Sequence, residues 1–271
     1  MNFERFEGQK TGESIFGASN VMDWKKVKAK DIKGKVLNQV EARKLKEALL
    51  VDSKGFYYKG VISLGEAIFS ISRRQYSWAT VKLYYSLFYM LRASLACNGY
   101  GFLRNFRDLY YYNAKENEKF LIPEDKTDHK GTIKLFIKIY AFDDKLQTNN
   151  INGENPYLWL MEKREMINYK SNTFVEPGIP DFWNEINESI KDDNLNRWLN
   201  RYIYDKSFIY CFLEEHACLA LPLKRLLLTQ KDMIAACQST ILSTDQQEYI
   251  KKILPSRRKK KDLDFLKLLI V

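Results

Sequence analysis

Ser77–Cys97 reads SWATVKLYYSLFYMLRASLAC, and its apolar residues run nearly all the way round a helix. Trp78, Val81, Tyr85, Phe88 and Leu95 share one seam, while Leu83, Leu87 and Leu91 fill a second. A helix that is hydrophobic on several sides belongs in the middle of a bundle. Ala79, Ser86, Ala93, Ser94 and Ala96 are small enough to let neighbouring helices come close. Asn98–Gly99 then ends the helix, with glycine free to take a left-handed terminal conformation. The stretch predicts an all-α, multi-helix bundle.

Working outward, the same 3.6-type spacing recurs. Upstream, Val36–Val51 carries Leu37, Val40, Leu45, Ala48 and Leu49 at helical spacing. Asp52–Gly55 reads as a turn, and Tyr57, Val61, Leu64, Ala67, Ile68 and Ile71 form a further helical stripe. Residues 1–35, with Gly8, Gly12, Gly17 and Gly34, read as an irregular N-terminal arm with at most one short helix. Downstream, residues 100–130 fit either a short helix plus loop or a small hairpin. A helix is expected from Thr132, and another from Pro156, where a first helical turn tolerates proline. Pro177, Gly178 and Pro180 break the chain, so residues 176–254 form an additional helical C-terminal half. There, helices are expected over Phe182–Ile190 and Trp198–Ala217, with Pro222 opening another to about Cys237. Thr244 and Gln247 have capping-box spacing before EYIKKIL. Strand alternation is nowhere sustained.

The chain has 271 residues, with 44 Lys+Arg against 34 Asp+Glu, a formal net charge of +10 and a pI of about 9.2. Hydrophobic residues at 45% and charged residues at 29% fit a folded chain rather than a disordered one. Residues 1–20 are charged throughout and lack the apolar core of a secretory signal. The most apolar stretch, Phe208–Leu228, is interrupted by Glu214, Glu215, Lys224 and Arg225, so no membrane span is expected. Cys97, Cys211, Cys218 and Cys237 are too few and too scattered for a disulfide framework and read as free thiols. A cytoplasmic location follows as the expectation. The excess positive charge makes a nucleic-acid contact a natural function. It is spread over Lys25–Lys30, Ala42–Lys46 and the dense run Arg257, Arg258, Lys259, Lys260 and Lys261.

Most catalytic classes lack their residues. Gly8–Gly12 (GQKTG) and Gly99–Gly101 (GYG) fit neither phosphate-loop pattern. Glu124–Asp125–Lys126 has the spacing of some metal nucleases but no strand context for it. Cys211, His216 and Cys218 are near in sequence, but Cys211 and His216 point different ways on a helix, so a zinc site is not expected. No metal or cofactor is expected. His129 and His216 are the two histidines, His129 reading as part of a polar loop and His216 as a packing residue.

Two separated segments carry a resemblance. Tyr84, Tyr85, Phe88, Arg92 and Ala93 make a YY-x-x-F-x-x-x-R-A pattern, and Arg164–Tyr169 reads REMINY. Together they resemble the HEPN-like helical domains, whose active ribonucleases carry R-x4-6-H where REMINY stands. The resemblance implies a HEPN-like bundle over 36–175. It also implies that Arg164, Asn168 and Tyr169 are a structural or RNA-contacting vestige of that site. The motif histidine is replaced by Tyr169, whose ordinary pKa of about 10 makes a poor base at neutral pH. The expectation is therefore a non-catalytic interaction subunit; the alternative is a divergent metal-independent ribonuclease using Arg164, Asn168 and Tyr169, or a stand-alone basic nucleic-acid-binding protein. Family members without the motif act in prokaryotic conflict systems. A basic helical chain of this size is also similar to the small subunit of Lamassu-type anti-phage complexes. That similarity implies an SMC-like ATPase and a nuclease effector as protein partners.

After Pro255 the chain carries the basic run and then an apolar end, so 255–271 read as a basic hinge and apolar C-terminal segment. Arg257–Lys261 are the nucleic-acid candidates. Leu263, Phe265, Leu266 and Leu269 are the partner-docking candidates: so short a segment is not a stable helix alone, and it either packs back on its own bundle or docks into a partner's groove.

Overall fold

The computed structural model describes residues 5–106, 108–190, 195–237 and 240–253. The candidates Arg257–Lys261, Leu263, Phe265, Leu266 and Leu269, and the whole segment 255–271, lie outside the described residues.

The N-terminal region is helical where an irregular arm was expected. It holds α1 (Glu7–Ile15), α2 (Val21–Trp24) and α3 (Ala29–Gly34). Tertiary contacts explain the difference. Asp52 accepts the backbone N–H groups of Glu7 and Gly8, both at 2.8 Å, and so caps α1 from outside. Asn20 caps α2 through the N–H groups of Met22 and Asp23, and buried Trp24 donates its indole N–H to the Arg104 carbonyl at 2.9 Å.

The two helices read upstream of Ser77 are one, α4 (Gln39–Ser72), opened by a reciprocal capping box between Asn38 and Glu41. It runs through Asp52–Gly55, and packing outweighs the roughly 1 kcal/mol helix penalty of an interior glycine. α5 (Tyr76–Cys97) lies along it as the most extensive helix pair of the fold. The two come close at Gly60, where Ser86 donates to the Gly60 carbonyl at 2.9 Å and a Cβ would stand 2.5 Å from the Met90 methyl. Leu83, Leu87 and Leu91 are fully buried as expected. Trp78 is not: it is 46% exposed and meets Phe174 edge-on.

Gly99, at φ +87°, turns the chain into an antiparallel hairpin of β1 (Tyr100–Asn105) and β2 (Asp108–Asn113), pairing Tyr100 with Asn113 through Asn105 with Asp108. Next come α6 (Asp128–Ile139) and α7 (Pro156–Glu165), with Pro156 in the first turn as expected. The C-terminal half holds α8 (Asn184–Ile190), α9 (Leu195–Tyr204), α10 (Glu214–Cys237) and α11 (Thr244–Ile253). Trp198 and Cys211 therefore do not share a helix with Ala217. Pro222 does not open α10 but lies inside it, between the buried Leu219, Leu221, Leu223 and Leu226 that hold the helix on both sides. The capping box before α11 is one residue earlier than expected, with the Ser243 hydroxyl and the Gln246 side chain each meeting the other's backbone N–H.

α10 packs on α5 and α4, so the C-terminal half shares one core with the rest. At their contact Arg225, 3% exposed, is enclosed by acids and hydroxyls. Its guanidinium reaches Asp144 at 3.5 Å and Asp232 at 3.0 Å, and its Nε donates to Thr229 at 3.1 Å. Asp144 in turn accepts from the Tyr157 hydroxyl and the Leu146 N–H. Cys211 and Cys218 are buried free thiols, the latter pushed up to about 12 by burial, which keeps it protonated and inert. No described helix is long and apolar enough to cross a membrane.

Candidate functional site

Arg164 lies in the last turn of α7 and is 6% exposed. Immediately after it the backbone widens into one π turn, Met166–Lys170, closed by the Ser171 N–H on the Met166 carbonyl at 2.9 Å. A regular α-helix sets residues five apart about 140° apart around its axis, whereas an i→i+5 bond pattern brings them back to one face. Tyr169 is thereby carried over Arg164. One guanidinium nitrogen donates to Tyr169 Oη at 3.1 Å and to Tyr85 Oη at 3.2 Å. The guanidinium carbon sits 4.8, 5.3 and 5.6 Å from the ring centres of Tyr169, Tyr84 and Tyr85. Among the described residues Arg164 has no carboxylate partner, and its buried Nε has no hydrogen-bond acceptor. Asn168, half-buried in the same turn, makes no hydrogen bond to this cluster.

His129 was expected in a polar loop, and the structure puts it in the first turn of α6, folded against α5. Its Nδ1 is 2.7 Å from Tyr84 Oη, and its ring stacks on Phe88 at 4.4 Å. Arg164 and His129 thus flank the same tyrosine. No arginine stands four to six residues before a histidine in this chain, so the linear motif hides the pairing. The signal that could have found it is the start of α6. Asp128 is a favourable first-turn acid before the stripe Ile133, Phe136 and Ile137, which moves the helix start ahead of His129.

Burial, and then the positive charge of Arg164, hold His129 below its ordinary pKa, with Asp128 opposing them. The imidazole is neutral at pH 7 and can accept a proton. In a histidine-resolved NMR titration the His129 midpoint is expected below 6.5, and Arg164→Met should raise it by removing the cation. His216 shifts the same way, first through burial. Both depressions stabilise the fold above the unfolded-state pKa of about 6.5, a contribution lost as pH falls through the folded values. His216 serves packing, as expected: Nδ1 is 2.9 Å from Tyr202 Oη, and Nε2 is 3.3 Å from Glu185.

The arrangement offers a buried cation without a counter-ion among the described residues, flat rings around it, and a neutral imidazole one tyrosine away. An arginine fork of this kind suits a phosphate oxygen pair. Compared with known family models, curated proteins and solved structures, the chain finds no match.

Proposed function

We propose that this protein is a HEPN-like helical subunit that binds an RNA phosphodiester at the Arg164 cluster. In this reading it is a non-catalytic interaction partner within a prokaryotic anti-phage assembly containing a nuclease and an SMC-like ATPase. The observation that carries the RNA contact is Arg164 itself, buried, without a carboxylate partner among the described residues, and walled by Tyr84, Tyr85 and Tyr169. A buried charge of this kind is costly unless something pairs it, and a phosphate supplies the pair while tyrosine rings stack on bases. The assembly rests on the YY-x-x-F-x-x-x-R-A and REMINY resemblance and on the net charge of +10.

A second reading has its own support. His129 beside Tyr84 is a neutral base placed near Arg164, so a metal-independent ribonuclease would use His129 rather than Tyr169. One experiment decides between them: binding and cleavage of a labelled single-stranded RNA by the full chain. The proposal expects binding that weakens at least tenfold in Arg164→Ala, with the RNA left whole. Binding unchanged in Arg164→Ala overturns it. Cleavage that is lost in both Arg164→Ala and His129→Ala, and kept in Tyr169→Phe, establishes the ribonuclease instead.

A further inference from the structure

A cavity of about 510 Å³ lies between α1, α4, α5 and the hairpin, and Arg164 is not among its lining residues. Its volume falls in the range of small-molecule sites, about 300–1,000 Å³. Three of its wall carboxylates are already engaged. Glu13 pairs with Arg5, Asp128 pairs with Arg104 at 2.6 Å, and Asp52 spends both oxygens on the first turn of α1. Two wall cations are left over. Neither Arg92 nor Lys59 has a hydrogen bond or an ion pair among the described residues.

Aromatic rings hold both cations in place. The Arg92 guanidinium lies 4.4 Å from the Phe56 ring centre, 5.3 Å from Phe102 and 5.5 Å from Phe6. Lys59 Nζ lies 4.9 Å from the Phe6 ring centre as well. Such contacts orient a guanidinium without using its five N–H donors. The two like charges also disfavour each other: burial and then Arg92 push the Lys59 pKa down. A dianion between them would relieve that repulsion and satisfy the free donors. Gly8 and Gly101 lack a Cβ where the buried Tyr112 side chain packs behind the cavity wall.

We infer that this cavity binds a small phosphate monoester with a flat aromatic body, of the nucleoside 5′-monophosphate class. Arg92 and Lys59 clamp the phosphate, and Phe6, Phe56 and Phe102 line the space for the ring. Inorganic phosphate fills a small part of this volume, and an uncharged nucleoside leaves the cations unpaired.

Calorimetric titration of the full chain with adenosine monophosphate, adenosine and inorganic phosphate tests this directly. Adenosine monophosphate should bind at least tenfold more tightly than either of the others. Lys59→Gln and Arg92→Gln should each weaken it tenfold or more, while Arg164→Ala leaves it unchanged, which separates this site from the RNA contact. Because Arg92 is packed among rings, its variant is judged only if folded; Lys59 is exposed, and its variant decides in either case. Equal binding of adenosine or of phosphate, or full affinity in Lys59→Gln, overturns the inference.

Discussion

Arg225→Ala should cost about 3–5 kcal/mol of folding stability, the range for removing one partner of a buried ion pair. The alanine would leave Asp144, 6% exposed, with a carboxylate that keeps its Tyr157 and Leu146 hydrogen bonds but loses its counter-charge. Asp232 is less affected, because it is closer to water and retains the Ser94 hydroxyl at 2.6 Å. The measurement is denaturant unfolding followed by far-UV circular dichroism. The double variant Arg225→Met with Asp144→Leu should recover part of the loss, since a well-packed apolar pair avoids the stranded charge. A double variant as unstable as the single one would mean that the network is held by geometry rather than by charge.

Trp183→Ala should be nearly as damaging, at about 3–5 kcal/mol, the usual cost of a fully buried tryptophan. The indole is wholly enclosed, packs tilted against Tyr76 at 5.3 Å and donates to Thr80 at 2.9 Å. Tyr76 and Thr80 belong to the first turns of α5, whereas Trp183 precedes α8, so this side chain adds to the packing of α10 in tying the C-terminal half to the central helix. Loss of the contact should lower the unfolding midpoint of the whole protein in a single transition. Two separated transitions would show that the C-terminal half unfolds by itself.

The residues show why some of this was readable in advance. Leu83, Leu87 and Leu91 sit on one stripe, and burial follows from periodicity alone, so α5 and the helical class were legible. Trp78 was misplaced because a seam drawn on a helical wheel cannot tell how far along the helix its partner reaches; Val81, Phe88 and Leu95 of the same seam are buried, while Trp78 at its start is exposed. Asp52–Gly55 carries turn-forming residues, yet its turn chemistry is used differently. Asp52 caps α1, Ser53 bonds back to the Leu50 carbonyl at 2.7 Å, and the helix continues. Pro222 misled for the same reason: tertiary packing on α5 overrides a local breaker. Arg164 and Tyr169 were found from their linear pattern. His129 was not, because its partner Tyr84 is 45 residues away and no local rule connects them.

The single π turn after α7 gives the Arg164 cluster an unusual kind of fragility. Its geometry depends on one surplus residue rather than on any particular side chain. Shorten the segment 166–168 by one position and the backbone could relax into an ordinary, more stable helix with every chemical group still present. The tyrosine would then stand four places from the arginine in a different rotation and height, and its hydroxyl would no longer meet the same guanidinium nitrogen as that of Tyr85. The cluster can therefore be dismantled by a change in chain length that a comparison of residue types alone would score as harmless.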